Sequence, residues 1–278
     1  MVHAMLGPFE PEGRPEGQPE GQGMDARNKV CFVAGAASGL GRLAAQRWSR
    51  AGGIVAAADV NEDGLRETAA GCDSIRTWHL DVANRLEVEA VVKAAESELG
   101  PIERVYNCAA IQPTSLLLEQ DPEEIHRVMN INYGGLVNVS LSTLPRLLER
   151  GRGALINFAS IAGWVPTMHF GAYNASKFAC VAFTEVLYHE NRGKGVHISC
   201  VCPPKVDTPL IAQATSKPKI LETGPPAMKP GVVLDAIDRA IDRGKFWVFP
   251  GMPAQAGWRL RRFLPSLMWK IDHNAEGF

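Results

Sequence analysis

The 278-residue sequence has little excess of charge of either sign, its net charge being −1 at pH 7. Phosphate recognition needs a clustered basic face, so nucleic-acid binding is not expected. No apolar run reaches the ~18 residues of a membrane-crossing helix. The first residues lack the basic start and apolar stretch of a secretory signal. Cysteine is sparse, and none of the six (Cys31, Cys72, Cys108, Cys180, Cys200, Cys202) forms a CxxC pair. Most lie in apolar runs and read as reduced core thiols of a reducing, cytoplasmic compartment. Cys108 and Cys202, at strand ends, are the candidates for a redox-sensitive thiol. No metal site is expected. What is present, 46% apolar and 21% charged residues, is the composition of a globular protein. The length suits one α/β domain better than two.

The opening residues do not read as folded. Pro11-Glu12-Gly13, Pro15-Glu16-Gly17 and Pro19-Glu20-Gly21 repeat every four residues. Such a tract buries too little apolar surface to offset its ordering entropy. Residues 1–24 are therefore expected to be a disordered leader, 25–252 a single domain, and 253–278 a C-terminal amphipathic tail.

From Lys29 onward strand and helix patterns alternate. Apolar runs at Val30–Ala34, Ile54–Ala58, Ile75–Leu80, Arg104–Cys108, Ala154–Ala159, Val196–Val201 and Phe246–Phe249 read as strands. Between them lie helical stretches with start signals. Asn61 precedes Glu62 and Asp63, Asn84 with Glu87 reads as a capping box, and Asp121 precedes Pro122. One long helix is expected from Asp121 to about Glu149, another over Tyr173–Asn191, and one over Gly231–Asp242. Alternation of this kind gives a parallel sheet covered by helices on both faces. Right-handed crossovers make it a doubly wound, Rossmann-type α/β sheet, which binds ligands beyond the carboxyl ends of its strands.

The candidate chemistry falls at those ends. The turn Gly35-Ala36-Ala37-Ser38-Gly39-Leu40-Gly41 joins a strand to a helix. Small residues there let backbone approach a pyrophosphate at the helix N-terminus, although a tight βα turn alone would also use them. Asp59 ends the second strand. A carboxylate there accepts hydrogen bonds from ribose hydroxyls and repels a 2′-phosphate; its plainer role is to begin the next helix cap. No basic residue precedes Arg42 in the turn, which favours NAD over NADP. Tyr173 and Lys177, four apart, share a helix face. A phenol titrates near ~10, and a nearby ammonium favours its phenolate. Such a pair is common on ordinary helices. Ser160, thirteen residues earlier at a strand end, could orient a substrate oxygen toward Tyr173.

With these residues in order, the chain resembles the short-chain dehydrogenase/reductase family, in its ~250-residue group, over about Asn28 to Gly251. The family's Thr-Gly-x-x-x-Gly-x-Gly turn is matched by Gly35, Gly39 and Gly41, with Ala34 in place of threonine. Its Ser and Tyr-x-x-x-Lys fall on Ser160, Tyr173 and Lys177. Its helix asparagine, which holds a water in a proton relay, falls on Asn132, and its adenine-side aspartate on Asp81. The resemblance implies an NAD-dependent alcohol dehydrogenase or ketone reductase, with Ser160, Tyr173, Lys177 and Asn132 catalytic. Cofactor contacts are implied for Gly35, Ser38, Gly39, Leu40, Gly41, Asp59, Asp81, Val82, Asn107, Tyr173, Lys177, Val206 and Thr208. A homodimer or homotetramer built on the long helices is also implied. Two motifs depart: Asn107-Cys108-Ala109-Ala110 replaces Asn-Asn-Ala-Gly, and Pro203-Pro204 replaces Pro-Gly. Pro204 stiffens its segment and removes an N–H.

Ile161, Trp164, Val165, Pro166, Met168 and Phe170 lie between Ser160 and Tyr173; the resemblance implies that several of them line the pocket, which is then expected to be apolar. His169 could bond substrate but reads better as structural. Residues Pro209 to Met228 are expected to form a mobile lid. The substrate is then a lipophilic secondary alcohol or ketone of steroid, retinoid, fatty or aromatic type. In the tail, Leu260, Phe263, Leu264, Leu267, Met268 and Ile271 share one helical face and Arg259, Arg261, Arg262 and Lys270 the other, with a kink at Pro265. The tail either packs on the core or a neighbouring subunit, or makes a peripheral membrane contact. Two rivals are weighed: a non-catalytic dinucleotide-binding sensor needs no Ser160, Tyr173, Lys177 and Asn132 together, and a sugar-nucleotide epimerase has a different glycine spacing.

Overall fold

The computed structural model describes residues 25–214, 216 and 218–277; the expected leader, and residues 215 and 217 of the expected lid, lie outside them. Seven parallel strands form one sheet in the order β3-β2-β1-β4-β5-β6-β7. They are β1 (Val30–Ala34), β2 (Ile54–Asp59), β3 (Ile75–His79), β4 (Ile102–Asn107), β5 (Ala154–Phe158), β6 (His197–Val201) and β7 (Trp247–Val248). The order reverses between β1 and β4, where Ala34 sits beside both Ala58 and Asn107. That reversal opens a crevice at the carboxyl edge.

Strand β1 is apolar and buried throughout, and β5 is buried throughout with Asn157 its one polar residue, because both faces are covered. On one face Phe32, Val105 and Leu155 meet α3 (Arg85–Leu99), α5 (Gly135–Arg150) and α6 (Gly171–Asn191). On the other, Val33, Tyr106 and Ile156 meet α1 (Gly39–Arg50), α2 (Glu62–Ala69) and α8 (Pro230–Asp242). Phe32 is fully buried; removing such a side chain from water contributes about 2–3 kcal/mol.

The helix starts follow their caps. Asn61 accepts from Gly64 N–H, and Asp121 accepts from Glu123 N–H ahead of Pro122, where α4 (Pro122–Met129) begins. Asn84 accepts from Glu87 N–H at 3.3 Å. The expected return bond is replaced: the Glu87 carboxylate accepts from Asp81 N–H at 3.1 Å and pairs with His79. The box thus anchors Asp81 at the sheet edge. The long helix expected from Asp121 is interrupted. Between α4 and α5 the backbone widens into one π turn, Asn130–Gly134, with no break in the rod. The expected lid contains a 3₁₀ turn (Pro209–Gln213) and α7 (Lys219–Thr223). The tail is two helices, α9 (Gly251–Phe263) and α10 (Pro265–Glu276), separated at Leu264 and Pro265. A proline at a first helical turn starts a helix more readily than it bends one.

Candidate active site

A cavity of about 750 Å³ lies over the carboxyl edge. Its first end is made by the β1–α1 turn. Gly35 has φ +82°, and a Cβ there would stand 2.5 Å from Ala109 N. A Cβ at Gly41 would stand 2.0 Å from Gly35 O. Both positions require glycine, since strand, turn and helix approach one another there without room for a side chain. Ser38, Gly39 and Leu40 line the cavity, and Thr208 faces Gly39.

Asp59 reaches the same end from β2. Its two carboxylate oxygens accept from Ala37 N–H and Asn61 N–H, each at 3.0 Å. That fixes the carboxylate while leaving a lone pair on each oxygen. Arg42 turns away from the cavity: its guanidinium bonds the Ala37 and Gly64 carbonyls and Glu67. Asp81 and Val82 complete this end, and Val206 stands with Thr208 on the segment after β6. A narrow glycine-walled mouth, a helix N-terminus and a fixed acid fit an adenine dinucleotide.

Further along, Tyr173 and Lys177 project from the first turns of α6 and are 5% and 2% exposed. Lys177 Nζ donates to Phe158 O at 2.8 Å and lies 5.7 Å from the Tyr173 ring centroid. An ammonium held this way has lost most of its freedom and places a fixed positive charge beside the phenol. Ser160, just past β5, accepts from Ala162 N–H at 3.1 Å, which orients its hydroxyl. Tyr173, Lys177 and Ser160 all line the one cavity.

The short chain dehydrogenase family profile matches residues 29–219. The chain belongs to that family. Among curated relatives, it is 34% identical over 186 residues to the 2-dehydro-3-deoxy-L-rhamnonate dehydrogenase (NAD(+)) of a Sphingomonas species, covering 66% of this chain and 75% of that one. It is 36% identical over 200 residues to the 1-deoxy-11-beta-hydroxypentalenate dehydrogenase of Streptomyces exfoliatus, covering 69% and 73%. The glycine betaine reductase ATRR of Emericella nidulans shares 32% identity, but the match spans 16% of that longer protein and 72% of this chain. Among solved structures, a short chain dehydrogenase/reductase from Burkholderia phymatum in complex with NAD superposes with TM-score 0.77 at 27% identity, covering 87% of this chain and 95% of that one. A Thermococcus sibiricus alcohol dehydrogenase complexed with 5-hydroxy-NADP shares the fold, with TM-score 0.70 at 24% identity over 80% and 95% of the two chains. This short-chain dehydrogenase is therefore an oxidoreductase on a Rossmann-type sheet.

Two residues expected at the site do not line the cavity. Asn107 is buried beneath it and donates to Leu136 O and Asn157 Oδ1. Asn132 sits in the π turn. Its Oδ1 accepts from Ile111 N–H at 2.8 Å, and its amide donates to Ile111 O and Ser176 Oγ. Ser176 in turn donates to Tyr173 O at 2.8 Å. Asn132 therefore ties the loop after β4 to the turn that carries Tyr173, with both amide hydrogens bonded to protein. His169 has φ +66°, bonds Ser216 and faces Glu276 at 3.7 Å, the structural role favoured by the sequence. Cys108 lines the cavity, and burial raises its thiol pKa, which holds it protonated and poorly nucleophilic. Pro204 lines the cavity beside Pro203, whose carbonyl accepts from Ile161 N–H.

The far end is mainly apolar, with Gln112, Thr167 and Gln213 also among the cavity's lining residues. Ile161, Val165 and Phe170 line it as expected, whereas Trp164 turns into an aromatic cluster, edge-to-face with Trp247 and Trp258 and tilted against Phe249. Leu210, Ile211 and Leu221 come from the lid segment. The residues not foreseen are Gly257, Met268, Ile271 and Ala275 from α9 and α10. The spacing of 268, 271 and 275 is that of one helix face and was the available signal, but an amphipathic pattern does not say what its face covers.

Proposed function

We propose that this oxidoreductase moves hydride between NAD(H) and a lipophilic secondary alcohol or its ketone, of steroid, retinoid, fatty or aromatic type. The observation that carries the reading is that Tyr173, Lys177 and Ser160 converge on one cavity whose other end is the glycine turn and Asp59. The turn, Ser38, Leu40, Asp59, Asp81, Val82, Val206 and Thr208 would hold the dinucleotide, which when bound supplies the hydride acceptor or donor. In oxidation, Tyr173 as the phenolate takes the alcohol proton and becomes the phenol, which returns that proton to solvent before the next turnover. Ser160 holds the alcohol oxygen, and the Lys177 charge stabilises the phenolate that accepts the proton; in reduction it stabilises the negative charge left on Tyr173 as the phenol gives its proton to the ketone oxygen. Asn132 positions Tyr173 through Ser176. NAD is favoured over NADP because the Asp59 carboxylate at this end of the cavity would repel a 2′-phosphate and Arg42 is bonded elsewhere. The apolar lining favours lipophilic substrates. A dinucleotide sensor would need no buried ammonium beside a phenol in the ligand cavity.

The same reading includes self-association. Leu141 on α5 and Phe178 and Val186 on α6 are 55%, 41% and 56% exposed, a fit to a dimer or tetramer built on those helices. The six cysteines are all free thiols, as suits a reducing cytoplasmic setting. The deciding experiment is a screen of hydrophobic alcohols and ketones with NAD and NADP, followed by NADH absorbance, with Tyr173→Phe alongside. Turnover that survives in Tyr173→Phe at near-normal rate sinks the assignment.

A further inference from the structure

The tail has two surfaces. Its inner stripe, Met268, Ile271 and Ala275, lines the substrate end of the cavity. Its outer surface, at the α9–α10 turn, exposes Phe263, Leu264, Leu267 and Ile271, between 42% and 59%. Ile271 belongs to both. Residues 251–277 contain two acids, and both face inward. Asp272 is 3% exposed and accepts from Met168 N–H at 2.8 Å. The Glu276 side chain is 4% exposed and accepts from Lys219 N–H at 3.1 Å. The outward charges are then all cationic: Arg259, Arg262 and Lys270 are exposed, and none pairs with a carboxylate among the described residues.

The apolar patch on α6 is different, since Val186 stands beside Glu185 and Glu190. An apolar stripe with a purely basic rim is complementary to an anionic bilayer, where the stripe enters the headgroup–acyl boundary and each cation adds attraction. No helix among the described residues is long and apolar enough to cross a membrane, so the contact is peripheral.

We infer that the α9–α10 turn seats this protein on an anionic lipid surface, with Ile271 at the point where bilayer and cavity meet. A lipophilic substrate then passes from acyl chains to cavity without crossing water. The passage, unlike the seat, rests on the oxidoreductase reading above.

The test is co-sedimentation of the full chain with phosphatidylcholine vesicles, with and without phosphatidylserine. Binding is expected to anionic vesicles, weakening with salt, and to fall at least about tenfold in Phe263→Ser/Leu267→Ser and in Arg259→Glu/Arg262→Glu/Lys270→Glu. Leu86→Ser, an exposed apolar side chain on α3 away from the tail, should bind as wild type. All these side chains are exposed, and an unchanged melting temperature confirms folding. Absence of binding, equal binding to neutral vesicles, or undiminished binding by both tail variants overturns the seat. So does a tail variant that instead dissociates a dimer in light scattering, which would assign the patch to a second copy. A protein that binds vesicles yet turns over no alcohol or ketone overturns the oxidoreductase reading and leaves the seat standing. If it is active, reduction of a long-chain ketone dissolved in anionic vesicles should be faster in wild type than in the charge-reversed variant. Equal rates overturn the passage alone.

Discussion

The two ends of the cavity are built by opposite means. At the cofactor end the walls are backbone: Gly35 and Gly41 pack so closely that neither admits a Cβ, and Asp59 is held by two N–H groups. At the substrate end the walls are side chains from segments far apart in sequence, Phe170, Leu221 and Met268 among them. A backbone wall has one shape and tolerates no variation. A side-chain wall can be re-cut by single substitutions while the rest stands. The residues proposed as catalytic lie between, on α6 and just past β5, where the rigid wall meets the variable one.

The largest effect should come from the middle. Tyr173→Phe is expected to lower kcat by about 10²–10⁴-fold while NADH binding, followed by fluorescence, stays within twofold or so; parallel loss of both would mean that the phenol belongs to the cofactor wall instead. At the cofactor end, Gly41→Ala must push the turn away from Gly35 O. Overpacking of this kind costs about 1–3 kcal/mol, so both melting temperature and NADH affinity should drop. A variant with wild-type Kd and Tm would break the claim that this wall is rigid.

At the substrate end, Met268→Trp should raise KM for a bulky ketone by about tenfold and leave a small ketone and NADH Kd unaffected. Equal changes for large and small ketones would merge the two ends into one. Asp59→Ser should move the ratio of kcat/KM for NADP over NAD upward by about tenfold, with no change in the ratio between ketones.

The smallest effect lies outside both ends. His197, buried in β6, has its pKa depressed to about 4 by burial and, secondarily, by Arg104. Neutral histidine is favoured in the folded state, so its contribution is complete above pH ~6.5 and is lost as pH falls toward 4. His197→Gln should flatten the acid slope of Tm against pH across that window without altering cofactor selectivity. A variant with the wild-type slope would remove His197 from the account.

The comparison also explains what the sequence disclosed. Strand β1 and helix α1 begin and end where the apolar run and glycine turn place them, because local sterics decide both. Tyr173, Lys177 and Ser160 were readable for the same reason: each follows a strand end or helix start. The resemblance gave Asn107 a cofactor contact and Asn132 a water in a proton relay; both carboxamides are bonded within the protein, since side-chain direction under a sheet edge is a matter of packing. Met268 and Ile271 were legible as an apolar stripe and not as cavity wall, because which surface a terminal helix covers depends on the lid and the aromatic cluster around Trp164. Glu87 does not close the box because Asn84 N–H donates to Asp81 O, which leaves the carboxylate to accept from Asp81 N–H six residues back.

The π turn at Asn130–Gly134 has a consequence for how this rod is divided. Each residue advances a helix by about 100°, so the wide turn resets the angular phase midway along one continuous axis. Residues before it are dialled to meet α6, and residues after it to meet α3 and the sheet. Removing a single residue there would keep the rod and misalign one half against the other, so that Asn132 and Leu136 could not both reach their partners. The extra residue works as a fixed angular offset between two gears on one shaft.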